Sequence, residues 1–288
     1  MLILASGCDA VFSLDPLVPY PPSLCGPYAE ATPVMFSPEL VAKQAHDLSV
    51  SSPGVGAVVT EDGFVHHVVP VTFDAGSQTW MRAGMEILRY RGHRTADDTV
   101  YGESIDDATT VVEYKLNAGV WNAQSPTVAT DPCFNYTIGN EYDVVDPVNG
   151  LQLQRATLVK AASGNVGCDV GKDQLVITNR TPPFSPSRLW REDPPRTMPL
   201  NDNPAVAPSQ AVMTQDLRTI VYAGKHDSEY DLYVTTLDKD MNNFATGQII
   251  DSVSLPGAVE DEPWIDADCT TIWFRRDGVT MTASAVGL

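Results

Sequence analysis

The chain has 288 residues, long enough for one large domain or two smaller ones with a sizeable core. With 18 Lys and Arg against 37 Asp and Glu its net charge is -19, and so thin a basic surface excludes a polyanion such as nucleic acid as partner. A hydrophobic share of 43% marks a soluble globular chain, and no apolar run reaches the roughly 18 residues of a membrane span.

The N-terminus reads MLILASGCDAVFSLD, an apolar lead ending in Ala5-Ser6-Gly7-Cys8. Small residues before a cysteine in this order resemble a bacterial lipobox, although Ala5 stands where that pattern prefers Leu and no basic residue opens the lead. The resemblance implies cleavage before Cys8 and a lipid on its thiol. Residues 1–8 are then a residual signal segment, 9–35 a Pro-rich tether (PLVPYPPSLCGP) and 36–288 the folded domain. The expected location is the cell envelope, with membrane association through the lipid alone. Cys25, Cys133, Cys168 and Cys269 remain, an even number that fits disulfides in an oxidising compartment, with three pairings open.

Helix signals are confined to Ser37–Leu48, SPELVAKQAHDL, where Ser37 can cap, Glu39 comes early and Lys43 late. Beyond it, apolar residues fall in short β-rich runs bounded by Gly, Pro, Asn and Asp, which is the pattern of strands. Gly56–Phe73 (GAVVTEDGFVHHVVPVTF) predicts a strand pair, with another strand in QTWMRAG. Asp106–Trp121 and Lys172–Asp193 each predict two strands around a break. Arg218–Thr236, RTIVYAGKHDSEYDLYVTT, predicts two more, and it has an echo. Asp216–Tyr222 (DLRTIVY) aligns with Asp268–Phe274 (DCTTIWF) at an offset of 52 residues (268 minus 216). Upstream, Asn203–Val206 is expected to stand where Glu262–Ile265 stands later. Strand-built periods of roughly 40–50 residues are the signature of propeller blades, which bury their faces by stacking on one another.

The order Asn-Pro-x-Val, Asp-x-x-Thr-Ile-Val-Tyr and Asp-Leu-Tyr-Val-Thr, within Asn203–Leu288, resembles the WD40-like PD40 repeats of TolB-type β-propellers. Gly56–Asp193 resembles them more loosely, and Leu217 and Cys269 stand where that family often has glycine. The opening GCDAVFSLD is similar to the start of surface lipoproteins that carry such propellers. The resemblance implies an all-β fold, a β-propeller of five or six four-stranded antiparallel blades. A propeller closes its ring by joining first and last strands in one blade, so the expected pairs are Cys25 with Cys269 and Cys133 with Cys168.

No G-x-S-x-G, H-E-x-x-H, P-loop or Cys/His zinc spacing occurs, so neither a catalytic residue nor a cofactor or metal site is expected. His66 and His67 are neighbours on one strand and face opposite ways. Asp238, Asp240 and Asn242 begin like a calcium loop, but Asn243 replaces its glycine and Ile249 its glutamate. Glu260–Asp268 (EDEPWIDAD) reads as the acidic turn that opens a blade, and the five tryptophans, one per blade or so, read as core. What remains is the loop inside the repeat, with His226, Asp227 and Glu229 as a rim-loop site. The expected function is a monomeric binding scaffold for a protein or carbohydrate partner. The alternative is a propeller-type glycoside hydrolase, which requires carboxylates converging in an axial pocket.

Overall fold

A computed structural model describes residues 25–62, 65–88, 92–94, 99–103, 110–117, 120–123, 128–129, 134–145, 153–161, 174–180, 206–214, 218–226, 229–238, 243–266 and 269–287. Within them the β-branched and aromatic runs form strands, and the all-β expectation holds. The chain enters through β1 (Thr32–Pro33) and α1 (Pro38–Ala42). The expected helix is cut to these five residues. Gln44 turns left-handed at φ +51°, and His46 already starts a strand that buries Leu48. One turn of helix is too short to hold against such pairing.

Among the described residues, five antiparallel sheets follow in chain order. The first holds β2 (His46–Ser52), β3 (Val55–Asp62), β4 (Val65–Asp74) and β5 (Thr79–Arg82), with β6 (Ile87–Leu88) also on β4. The second holds β7 (Gly92–Arg94), β8 (Thr99–Glu103), β9 (Thr110–Asn117) and β10 (Val120–Ala123), with β11 (Val128–Ala129) on β9. The third holds β12 (Phe134–Val145), β13 (Leu153–Ala161) and β14 (Gln174–Arg180). The fourth holds β15 (Ala207–Met213), β16 (Thr219–His226), β17 (Glu229–Asp238) and β18 (Asn243–Phe244), with β19 (Gln248–Ile249) on β17. The fifth holds β20 (Glu260–Ile265), β21 (Thr271–Arg276) and β22 (Val279–Ser284), and its outer strand is β1.

The 52-residue echo is structural. β16 and β21 are the second strands of their sheets, and Val212 faces Val221 as Trp264 faces Trp273. The equivalent of Glu262–Ile265 is therefore Gln210–Met213, not Asn203–Val206; the expected alignment followed a shared proline instead of the strand register.

Each sheet touches the next, and β2 of the first touches β20, β21 and β22 of the fifth. The core lies between these neighbours. Val212, Val221 and Leu232 of the fourth sheet pack with Trp264, Ile272 and Phe274 of the fifth. Val68 and Ile87 of the first meet Tyr114 and Trp121 of the second. The Trp264 indole N–H donates to the Val50 carbonyl at 3.0 Å, tying the fifth sheet to the first.

Residues 25–35, assigned to a tether by sequence, are laid into the fold. Cys25 is disulfide-bonded to Cys269, a separation of 244 residues. Tyr28 is buried, bridges Ala285, and donates its hydroxyl to the Cys269 carbonyl at 3.1 Å. Thr32 pairs with Thr282, and Phe36 then bridges Trp80 of the first sheet. Apolar residues that follow the Pro-rich stretch account for this, Tyr28 buried and Val34 half-buried against the first sheet. Cys8, Cys133 and Cys168 lie outside the described residues.

Two outcomes follow. Reducing the Cys25–Cys269 bond, or replacing both residues by serine, lowers the unfolding free energy by about 2–5 kcal/mol, read as a urea midpoint shift with and without reductant. An unchanged midpoint would show that the bridge does not fasten the fold. Gly56→Ala places its new Cβ on the Ser49 carbonyl oxygen, where backbone must give way. It should cost about 1–3 kcal/mol in thermal unfolding.

Candidate functional site

The leading strands of three sheets break register at matching places. β2 does so between His46 and Ser49, β15 between Pro208 and Ala211, and β20 between Asp261 and Trp264. Such bulges re-aim side chains. Asp47 and Glu262 sit in the left-handed region at φ +50° and +52°, a conformation that non-glycine residues hold only where their surroundings fix it. The Glu262 N–H donates to Gln210 Oε1 at 3.0 Å, joining two bulges 52 residues apart.

Polar side chains from five strands, β2, β3, β4, β20 and β21, meet here. Arg275 on β21 donates Nε and Nη2 to the two Asp261 oxygens at 2.8 and 2.6 Å, and its Nη2 lies 3.2 Å from Glu262. Two parallel bonds from one guanidinium are the strong form of this pair. Glu262 Oε2 in turn lies 3.0 Å from His46 Nδ1. The far nitrogen of that ring, Nε2, lies 3.2 Å from Glu61 Oε1 on β3. His66, directly across from Glu61 on β4, sets its ring edge-on to His46 with centroids 6.2 Å apart. One nitrogen each from His46 and His66 and one oxygen of Glu61 lie within 4.8 Å of one another.

Burial shapes the charges. It weighs against a proton on His46, but the hydrogen bond and charge of Glu262, with Asp47, outweigh it and hold the pKa above the usual histidine value. Burial pushes the Asp261 carboxyl up despite Arg275, and the Asp261 bond raises Arg275 further. The group is a compensated charge network.

A second feature lies at the seam of the first and fifth sheets, a cleft of about 850 Å³. Its walls include Phe73, Trp80 and Trp273, with Val34 and Met35 of the entering segment along one side. Gln78, Asp266, Thr271 and Thr282 supply polar groups. Phe73 and Trp80 are tilted against each other at 5.5 Å, Trp80 is buried, and Phe73 and Met35 are exposed. Asp266 is fixed by the Thr270 hydroxyl at 2.6 Å and the Thr271 N–H at 3.1 Å.

Of the expected rim-loop residues, His226 and Glu229 belong to neither group. His226 and Glu229 pair across the exposed tip of the β16–β17 hairpin, and Asp227 lies outside the described residues. His66 and His67 part as expected for strand neighbours. His66 joins His46, while His67 faces Glu86 at 3.7 Å. Sequence reading missed His46 and Glu61 and read Asp261 and Glu262 as turn chemistry. The 52-residue offset, carried upstream, aligns Gln210 with Glu262 and is the signal that could have found the junction.

No protein-family model and no curated protein matches the chain. Among solved structures it is similar to the β-propeller domain of the Trilobed protease from Pyrococcus furiosus, at 13% identity and TM-score 0.35, covering 84% of this chain and 67% of that one. It is also similar to the polysaccharide lyase Uly1, at 10% identity and TM-score 0.34, covering 83% of this chain and 57% of that one. The Dos1 propeller gives 9% identity and TM-score 0.32, covering 83% and 67%. Overlaps this low bear neither on activity nor on the details of the fold.

Removing the cation should expose the cost of the network. Arg275→Met leaves Asp261 and Glu262 side by side without their guanidinium. The loss expected is about 2–4 kcal/mol, below the full value for a buried pair because Arg275 keeps 27% of its side chain exposed. A thermal midpoint within error of wild type would contradict this account.

Proposed function

We propose that the chain is a five-bladed β-propeller of the TolB-like kind, serving as a binding scaffold in the cell envelope with a carbohydrate partner. The ring rests on the cyclic order of sheet contacts and on β1 completing the last sheet. The envelope location rests on the Cys25–Cys269 bond, which suits an oxidising compartment, and on the lipobox-like Cys8.

The seam cleft carries the binding reading. Its volume lies in the range of small-ligand sites, roughly 300–1,000 Å³, which combine apolar walls with a few placed polar groups. Phe73 and Trp273 offer faces for the C–H side of a sugar ring, while Gln78, Thr271 and Thr282 offer partners for hydroxyls. Asp266 is already oriented by its neighbours, which suits a recognition group.

Hydrolysis of a glycan would need two carboxylates flanking a bond, one holding a proton. Glu61, Asp261 and Glu262 do gather at the junction of the leading strands. There Arg275 clamps Asp261, and Glu262 is shared between Arg275 and His46. Carboxylates so engaged favour a structural over a hydrolytic use.

Titrating the full chain with soluble oligosaccharides, and reading tryptophan emission and heat, tests this function. A cleft ligand shifts the emission of Trp273, and Phe73→Ala and Trp273→Ala each weaken its binding about tenfold, as expected when an aromatic contact of about 1.4 kcal/mol is removed. Binding that survives both substitutions, or none across neutral and acidic oligosaccharides, would overturn the assignment.

A further inference from the structure

His46, Glu61 and His66 come from three consecutive strands of one sheet and share a face of it. Their places are set by register: His46 opposes Val59, two residues before Glu61 on β3, and Glu61 opposes His66. Cross-strand partners, and residues two apart, project to the same side.

The arrangement around His46 fixes which of its nitrogens bears hydrogen. Nδ1 faces Glu262 Oε2 at 3.0 Å, and an ionised carboxylate can only accept, so Nδ1 is the donor. In the neutral ring Nε2 then presents a lone pair, 3.2 Å from another carboxylate oxygen on Glu61. Two lone pairs at that distance repel unless a cation lies between them. A proton bridges two atoms, whereas a metal ion can take His66 as well.

We propose that His46, Glu61 and His66 form a binding site for a divalent transition-metal ion, zinc being the best fit. Two imidazoles and one carboxylate are a recurrent zinc ligand set, with the fourth place taken by water or substrate. Tetrahedral ligands at 2.0–2.2 Å from zinc lie about 3.3–3.6 Å apart. The His46–Glu61 pair already has nearly this spacing, and the third donor must close by on the order of 1 Å. Glu61 keeps 33% of its side chain exposed, which leaves a path for the ion and for a water in the fourth position.

The outer layer is in place too. Metal-bound histidines commonly donate their second nitrogen to a carboxylate, which orients the ring and strengthens the ligand. Glu262 holds that position for His46, steadied by Arg275 at 3.2 Å and by its own N–H on Gln210. The bulges of β20 and β2 thus acquire a purpose, since they aim Glu262 and His46 at one another. The seam cleft plays no part in this inference.

The test uses the full chain, stripped with a chelator and titrated with Zn²⁺ by calorimetry and with Co²⁺ by visible absorption. One equivalent of Zn²⁺ is expected to bind, and Co²⁺ should give the intense bands of a four- or five-coordinate ion. His66→Ala should abolish the stoichiometric step. Glu262→Gln, which keeps an acceptor for the ring, should weaken it about 10–100-fold. His67→Ala, on the opposite face beside Glu86, should leave it unchanged. No binding at one equivalent would overturn the site and leave His46 a protonated partner of two carboxylates. Equal losses in the His66 and His67 variants, or several weak sites untouched by His66→Ala, would overturn it in favour of surface chelation. Should His66→Ala fail to fold, the Co²⁺ spectrum and the Glu262→Gln affinity decide between the same outcomes.

Discussion

The attachment of the entering segment, residues 25–37, to the last strand is the constraint on which this architecture depends. Without the entering segment, β22 would end the fifth sheet with an unpaired edge, and the first sheet would lose the strand-like cover over Trp80. Backbone pairing of Tyr28, Thr32 and Pro33 with the last strand supplies the register, and the Cys25–Cys269 bond fixes it covalently. Phe36 and Ser37 then carry the same segment onto the first sheet, where the Ser37 N–H reaches the Trp80 carbonyl at 2.9 Å. One short stretch therefore joins first and last sheets as well as first and last strands. Sheets that bury their faces only on neighbours need such a join, since an open arrangement leaves two apolar faces to water.

The leading strands meet a second constraint. Where they converge, backbones crowd and side chains are drawn out of water, so charge there must be balanced locally. The chain meets this with the Arg275 guanidinium against Asp261 and Glu262, and the His46 imidazole against Glu61 and the same Glu262. Bulges in β2, β15 and β20 make the geometry available, and the left-handed Asp47 and Glu262 show how firmly it is imposed. In a protein carrying 37 acidic residues, the carboxylates described at this junction are paired instead of merely solvated.

Much of the architecture was legible because it repeats. The Thr-Ile-Val-Tyr and Thr-Ile-Trp-Phe runs mark second strands, and buried apolar residues leave a readable imprint on sequence. Cys25 with Cys269 could be expected once a closing blade was supposed. The junction was not legible for a physical reason. A cluster built by strand register takes one residue from each strand, so His46, Glu61 and His66 show no motif spacing, and Glu262 is related to Gln210 only by position. Bulges hid the relation further, because they displace the side chain without changing the composition around it. The entering segment was misjudged because proline and small residues suit an exposed tether and an outer strand equally well.

The wall of the seam cleft formed by Val34 and Met35 has a further consequence. Those residues belong to the segment that fastens the two ends, and the facing walls belong to the sheets being fastened. A molecule seated in the cleft touches all three parties. Its binding free energy therefore adds to the work of peeling the N-terminal strand away, because the peeled form has lost the wall and with it the ligand. The protein would be hardest to unzip when it is occupied, which makes resistance to pulling on the N-terminus a measure of occupancy.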